Sequence, residues 1–149
     1  MLALDHELKM LVGKLNERGI PHALCGGLAM AVHGHPRSTL DIDLVAFHGS
    51  ATEIEKVAHE MGYTLNAAPM QFAEGRVTIR RVTKTDPESG DFLPLDILTF
   101  EPSIENSIDF EETDWRGIKL RVVSRGDLIK MKQIRNSSLD RADIEKLSS

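Results

Sequence analysis

Apolar positions near the start of the chain recur at helical spacing: Leu4, Leu8, Leu11, Val12 and Leu15 share one side, and Gly19 and Pro21 follow them. The spacing predicts an amphipathic helix over residues 3–18. The rhythm then shortens. His22 to Cys25 reads as a short strand running into Gly26 and Gly27, and residues 28–33 as a helix stopped by Gly34 and Pro36. Residues 41–47 predict a second strand. Residues 52–61 predict a helix with Ile54, Val57, Ala58 and Met61 on its apolar side, closed by Gly62. A short edge strand is expected at 63–65, and another strand at 76–83, where Val77 and Ile79 alternate with basic neighbours. After a turn-rich loop at 84–90, residues 93–100 (LPLDILTF) are apolar except for Asp96, which marks a buried strand carrying one charge. Residues 119–123 predict a last strand, Ser124 a helix cap, and residues 127–134 and 140–147 two helices.

Strands and helices interleave along the whole length, and no repeat, linker or low-complexity segment divides it. The pattern predicts one domain over residues 1–149 of α/β or α+β class, a mixed β-sheet with helices packed mainly on one face. A composition of 41% hydrophobic and 28% charged residues supports a real core rather than disorder. No apolar stretch approaches membrane-spanning length and the first residues lack a signal-like core, so a cytoplasmic protein without a membrane partner is expected. A single cysteine, Cys25, forms no internal disulfide and is expected to pack in the core.

A net charge of −5 argues against a general nucleic-acid coat. Charge is nevertheless unevenly spread. Residues 76–84 carry four basic and no acidic residues, 116–135 seven basic and one acidic, and 101–114 six acidic and no basic. These runs are read either as solvated faces of ordinary elements or as separate charged surfaces, the basic ones open to nucleic acid.

The chemistry concentrates in CGGLAMAVHGHPRSTLDIDLV, where Asp41 and Asp43 follow the glycine pair after thirteen intervening residues. On a strand the period of two places both carboxylates on one face, with Ile42 and Leu44 on the other. Mg²⁺ is recruited by one or two carboxylates together with substrate phosphate oxygens, so a short acidic pair suffices. Asp96, on a strand able to pair beside residues 41–47, would complete a three-carboxylate site. Two ions about 3.5–4 Å apart could then serve an in-line displacement, with Asp96 also accepting the hydroxyl proton. Gly26 and Gly27 would let phosphate oxygens approach the backbone at a helix start, and Arg37 would meet triphosphate charge. Taken alone each residue has an ordinary reading: a cap or ion pair for the aspartates, a tight turn for the glycines, a loop arginine for Arg37. His33 and His35 lack a third ligand and are weak evidence for zinc. Lys130 and Lys132 cannot share a helix face.

Together these segments, with PLDILTF and VVSRGDLIKMKQIRNSSLDRADIEKL, resemble the DNA polymerase beta-type nucleotidyltransferase superfamily, and more closely its small AbiEii-like proteins. The resemblance covers roughly residues 20–147. It implies a nucleotidyltransferase-like core with Asp41, Asp43 and Asp96 as catalytic and metal-binding residues. Gly26, Gly27, Arg37, Thr39 and Lys132 would bind the nucleotide, with Asp140 and Asp143 downstream acids. The implied activity is Mg²⁺-dependent transfer of a nucleoside monophosphate from a nucleoside triphosphate to a hydroxyl of RNA, protein or a small molecule, in a toxin–antitoxin setting. The alternative is a catalytically silent nucleotide-binding or interaction module of the same fold. Position 27 is Gly where other branches have Ser, and Asn136, Ser137 and Ser138 stand where an Arg-rich segment is usual.

Overall fold

A computed structural model describes residues 2–34 and 41–135. In chain order the elements are α1 (Leu4–Glu17), β1 (His22–Cys25), α2 (Gly26–Val32), β2 (Ile42–Ala46), α3 (Ala51–Glu60), β3 (Tyr63–Asn66), β4 (Met70–Phe72), β5 (Val77–Thr85), β6 (Phe92–Phe100), α4 (Pro102–Glu105), β7 (Phe110–Trp115), β8 (Ile118–Val123) and α5 (Arg125–Arg135). The strands form one eight-stranded mixed sheet in the order β3-β5-β6-β2-β1-β8-β7, with β4 also paired to β5. The β2–β6 and β1–β8 pairings are parallel, the others antiparallel.

Alternation along β5 and β6 assigns the two faces of the sheet. Lys84, Val82 and Arg80 lie opposite Leu93, Leu95 and Ile97. On that face Lys84 reaches Glu7 of α1 and Arg80 reaches Glu55 of α3, so these two helices cover it. Leu11, Leu15, Ile54, Ile42, Leu44, Leu95 and Ile97 are fully enclosed, each aliphatic side chain contributing roughly 1.5–3 kcal/mol through burial. The other face carries Arg81 opposite Asp96, and Asp43 beside Asp96. Sheet alternation thus puts Arg81, Asp43 and Asp96 on the face away from α1 and α3, where Val77, Ile79 and Phe100 are also buried.

Several elements depart from the sequence expectation. Helix α2 starts at Gly26 rather than at residue 28, because the glycine pair forms its first turn. Strand β7 was not expected. Its sequence FEETDW is exposed along almost its entire length and has no apolar alternation, yet it pairs residue by residue with β8 at the sheet edge. The three-residue β4 and the short α4 are likewise too brief and too exposed to show a period. The helix expected at 140–147 lies outside the described residues.

Candidate active site: three carboxylates on the open sheet face

Parallel pairing of β2 with β6 aligns Asp43 with Asp96, and Ile42 and Leu44 point to the opposite, buried side. Asp41, immediately before β2, shares Asp43's side by the two-residue period. One oxygen from each of Asp41, Asp43 and Asp96 lies within 4.8 Å of the other two. Asp96 is 6% exposed, and Asp41 and Asp43 are half-buried. Such all-oxygen donor sets suit hard divalent cations. Oxygens on opposite sides of one Mg²⁺ stand about 4.2 Å apart, so small side-chain rotations would let this cluster close on an ion.

Gly26 fixes how closely α2 approaches the cluster. Its φ of +68° is left-handed, and a Cβ there would fall inside the Asp43 carboxylate. Gly27, next along, is buried. Lys132 reaches the same place from α5. The start of that helix is capped by Ser124, whose Oγ accepts from the Asp127 amide at 3.4 Å, while Ser124 Oγ and the Asp109 amide donate to Asp127 Oδ2 at 3.0 and 2.6 Å. Lys132 is 7% exposed and lines, with Gly26, Asp43, Cys25, Leu128 and Met131, a cavity of about 50 Å³. A larger cavity of about 640 Å³ opens at the other end of β1 and β2, around His22, Phe47, Phe110 and Arg121. It contains none of Asp41, Asp43 and Asp96.

The structure thus brings together Asp41, Asp43, Asp96, Gly26 and Lys132, with Gly27 adjoining. Arg37 and Thr39 lie outside the described residues, as do His35, Asp140 and Asp143. His33 has a structural task, its Nε2 lying 2.9 Å from the Val123 carbonyl oxygen. Cys25 is buried in the core as expected.

Sequence reasoning missed Arg81. Its Nε and Nη2 donate to the two Asp96 oxygens at 2.7 and 2.9 Å, and Nη2 stands 3.8 Å from Asp41 Oδ2. The hydrogen bond to Asp96 raises the guanidinium's basicity; burial opposes this, and the charges of Asp96, Asp41 and Asp43 add to it. A signal was available. With β5 and β6 joined by the loop at 86–91, counting back from that loop sets Arg81 opposite Asp96. In the structure Arg80, Arg81 and Lys84 face Glu55, Asp96 and Glu7, and Lys119 and Arg121 both face Glu112. The basic side chains of β5 thus serve pairing with acidic partners, which weakens the nucleic-acid reading of residues 76–84.

No protein-family model matches the chain, and no curated protein matches it. Solved structures share its fold. A candidate nucleotidyltransferase of Thermotoga maritima superposes with a TM-score of 0.58 at 15% identity, over 98% of this chain and 96% of that one. ANT(2'')-Ia, solved in complex with adenylyl-2''-tobramycin, superposes with a TM-score of 0.61 at 14% identity, over 95% of this chain and 85% of that one. The solution structure of that antibiotic-resistance factor gives 0.58 at 13% identity, over 94% and 80%. The mixed α+β architecture seen here is therefore shared with these structures over nearly the whole chain. No helix among the described residues is long and apolar enough to cross a membrane.

Proposed function

We propose that the protein is a metal-dependent nucleotidyltransferase that moves a nucleoside monophosphate from a nucleoside triphosphate to a hydroxyl acceptor. The convergence of Asp41, Asp43 and Asp96 within 4.8 Å on one sheet face carries this reading. Their placement beside the left-handed Gly26 turn supports it. The three carboxylates would hold Mg²⁺, two ions in the full form, which would neutralise triphosphate charge and stabilise the leaving pyrophosphate.

The chain's own groups have distinct tasks. Asp41 and Asp43 orient the metal-bound triphosphate, and Gly26 and Gly27 give its oxygens access to backbone amides. Lys132 supplies positive charge from α5, and the resemblance adds Arg37 and Thr39 as further phosphate contacts. Asp96 faces the acceptor and takes its proton. Each of its oxygens keeps a lone pair beyond the one engaged by Arg81. The resemblance to small AbiEii-like proteins supports a toxin–antitoxin setting and leaves RNA, a partner protein or a small molecule open as acceptor. The adenylyl-tobramycin complex of a fold relative keeps a small-molecule hydroxyl in play.

The reading is tested by incubating the protein with Mg²⁺, each labelled nucleoside triphosphate and cell extract, beside an Asp41→Asn/Asp43→Asn variant. Label is expected in RNA, protein or a small molecule with the wild type. It should fall by at least roughly a hundredfold in the variant, as loss of several kcal/mol of metal-borne stabilisation requires. Nucleotide binding without transfer would instead identify the silent module.

A further inference from the structure

Arg81 stands where a cation is needed and where a metal would also go. Among the described residues, its side chain makes a two-pronged contact with Asp96, the most buried of the three carboxylates. The contact is specified by the fold rather than by chance on a mobile surface. Arg81 and Asp96 are direct cross-strand partners in the β5–β6 pairing, on the face that also carries Asp43. The neighbouring Arg80 points the other way, to Glu55. From its place on Asp96, Arg81 also approaches Asp41 at 3.8 Å, so one guanidinium bridges carboxylates contributed from two adjoining strand segments.

Resting on the nucleotidyltransferase reading, we infer that Arg81 is a positioning residue that guards Asp96: it holds this carboxylate against the acidic pair and competes with a divalent cation for it. Three carboxylates this close repel one another, and a planar fork that cannot lose its proton offsets the repulsion while keeping Asp96 in one orientation. The same charge opposes an incoming metal. A cation drawing on Asp41 and Asp43 meets Arg81 at its margin, whereas one drawing on Asp96 meets it on both oxygens. Binding at Asp96 therefore requires the guanidinium to yield, and the site engages its third carboxylate only against that resistance. A structural role alone predicts the opposite sign, because removing Arg81 would release Asp96 from the cluster and weaken metal binding.

The experiment is a titration of the full chain with Mn²⁺, followed by the loss of the free-ion signal in electron paramagnetic resonance. Wild type, Arg81→Gln, Arg81→Lys and Arg81→Gln/Asp96→Asn are compared, with circular dichroism to verify folding. Arg81→Gln is expected to bind Mn²⁺ on the order of tenfold more tightly, since one opposing charge beside a doubly charged ion is gone. The gain should disappear in the double variant. Arg81→Lys, which keeps the charge and loses the fork, should fall between wild type and Arg81→Gln, and it decides the sign if Arg81→Gln does not fold. Affinity unchanged or weaker in the Arg81 variants, with Mn²⁺ still bound by the wild type, overturns the guard and leaves the enzyme reading standing. No Mn²⁺ bound by any form, wild type included, overturns the guard, while the enzyme reading stands or falls separately on transfer of label from the nucleoside triphosphate.

Discussion

Gly26 couples backbone conformation to the position of a carboxylate. The residue needs a left-handed backbone and leaves no room for a methyl group against Asp43, so Gly26→Ala meets two penalties. The backbone alone costs roughly 1–2 kcal/mol, and relief of the collision must push Asp43 or α2 aside. The expected outcome is a Tm lower by about 4–8 °C in calorimetry, with weaker Mn²⁺ binding. An unchanged Tm would contradict the packing described here. His22 provides a pH test. It is 1% exposed, and its Nδ1 lies 2.8 Å from the Ile20 carbonyl, which only accepts; Nδ1 therefore carries the hydrogen, and Nε2 has no partner among the described residues. Burial lowers its pKa from the usual 6.5, the Ile20 contact opposes this, and the charge of Arg121 lowers it further. The unfolded chain consequently binds the proton first as pH falls. Stability contributed by neutral His22 is complete above about pH 6.5 and declines as pH drops towards the folded-state value. Urea unfolding at pH 7.5 and 5 should show wild type losing more stability than His22→Gln over that interval. Equal losses would count against a buried neutral imidazole.

At the scale of elements, Glu7 ties α1 to the sheet. Its Oε1 accepts from Tyr63 of β3 and from Lys84 of β5, both at 2.9 Å, and Lys84 also lies over the Tyr63 ring. Burial, then the charge and hydrogen bond of Glu7, keep the Tyr63 phenol protonated well above its usual range. Glu7→Ala strands both partners. The expected loss is about 2–3 kcal/mol by urea unfolding, below the full cost of breaking a buried pair because Lys84 remains partly exposed. Adding Lys84→Met should recover part of it; a double variant no more stable than Glu7→Ala would show that the lysine was never the stranded charge. Helices α1 and α3 were legible because each buries a periodic apolar face, and β1, β2 and β6 because each is a short, largely buried apolar run. Strand β7 was not, since it is held by hydrogen bonds to β8 and by apolar contacts only at its ends, Phe110 on Phe47 and Trp115 against the core, which leave no apolar rhythm. The cluster of Asp41, Asp43 and Asp96 was legible because strand alternation and one charge in an apolar strand suffice to place it. Arg81 stayed hidden because its meaning depends on cross-strand register, and a run of basic residues reads the same whether its charges face water or partners.

Across the whole molecule, the sheet separates support from chemistry. Helices α1 and α3 seal one face, while the other presents the carboxylates where β2 and β6 run side by side, with α2 and α5 at the margin. The larger cavity sits at the far end of the strands and holds no part of the acidic cluster. The fold is shared across nearly the full chain with the Thermotoga maritima protein and with ANT(2'')-Ia. The most direct test follows where the phosphate label goes. The protein is incubated with Mg²⁺ and acceptor extract, using nucleoside triphosphate labelled at the α-phosphate in one reaction and at the γ-phosphate in another. Label on the acceptor from the α-position alone, with γ-label released as pyrophosphate and both signals lost in Asp41→Asn/Asp43→Asn, is the predicted result. Transfer of γ-label to the acceptor, or α-label transfer that survives in the variant, would contradict nucleotidyl transfer at this carboxylate cluster.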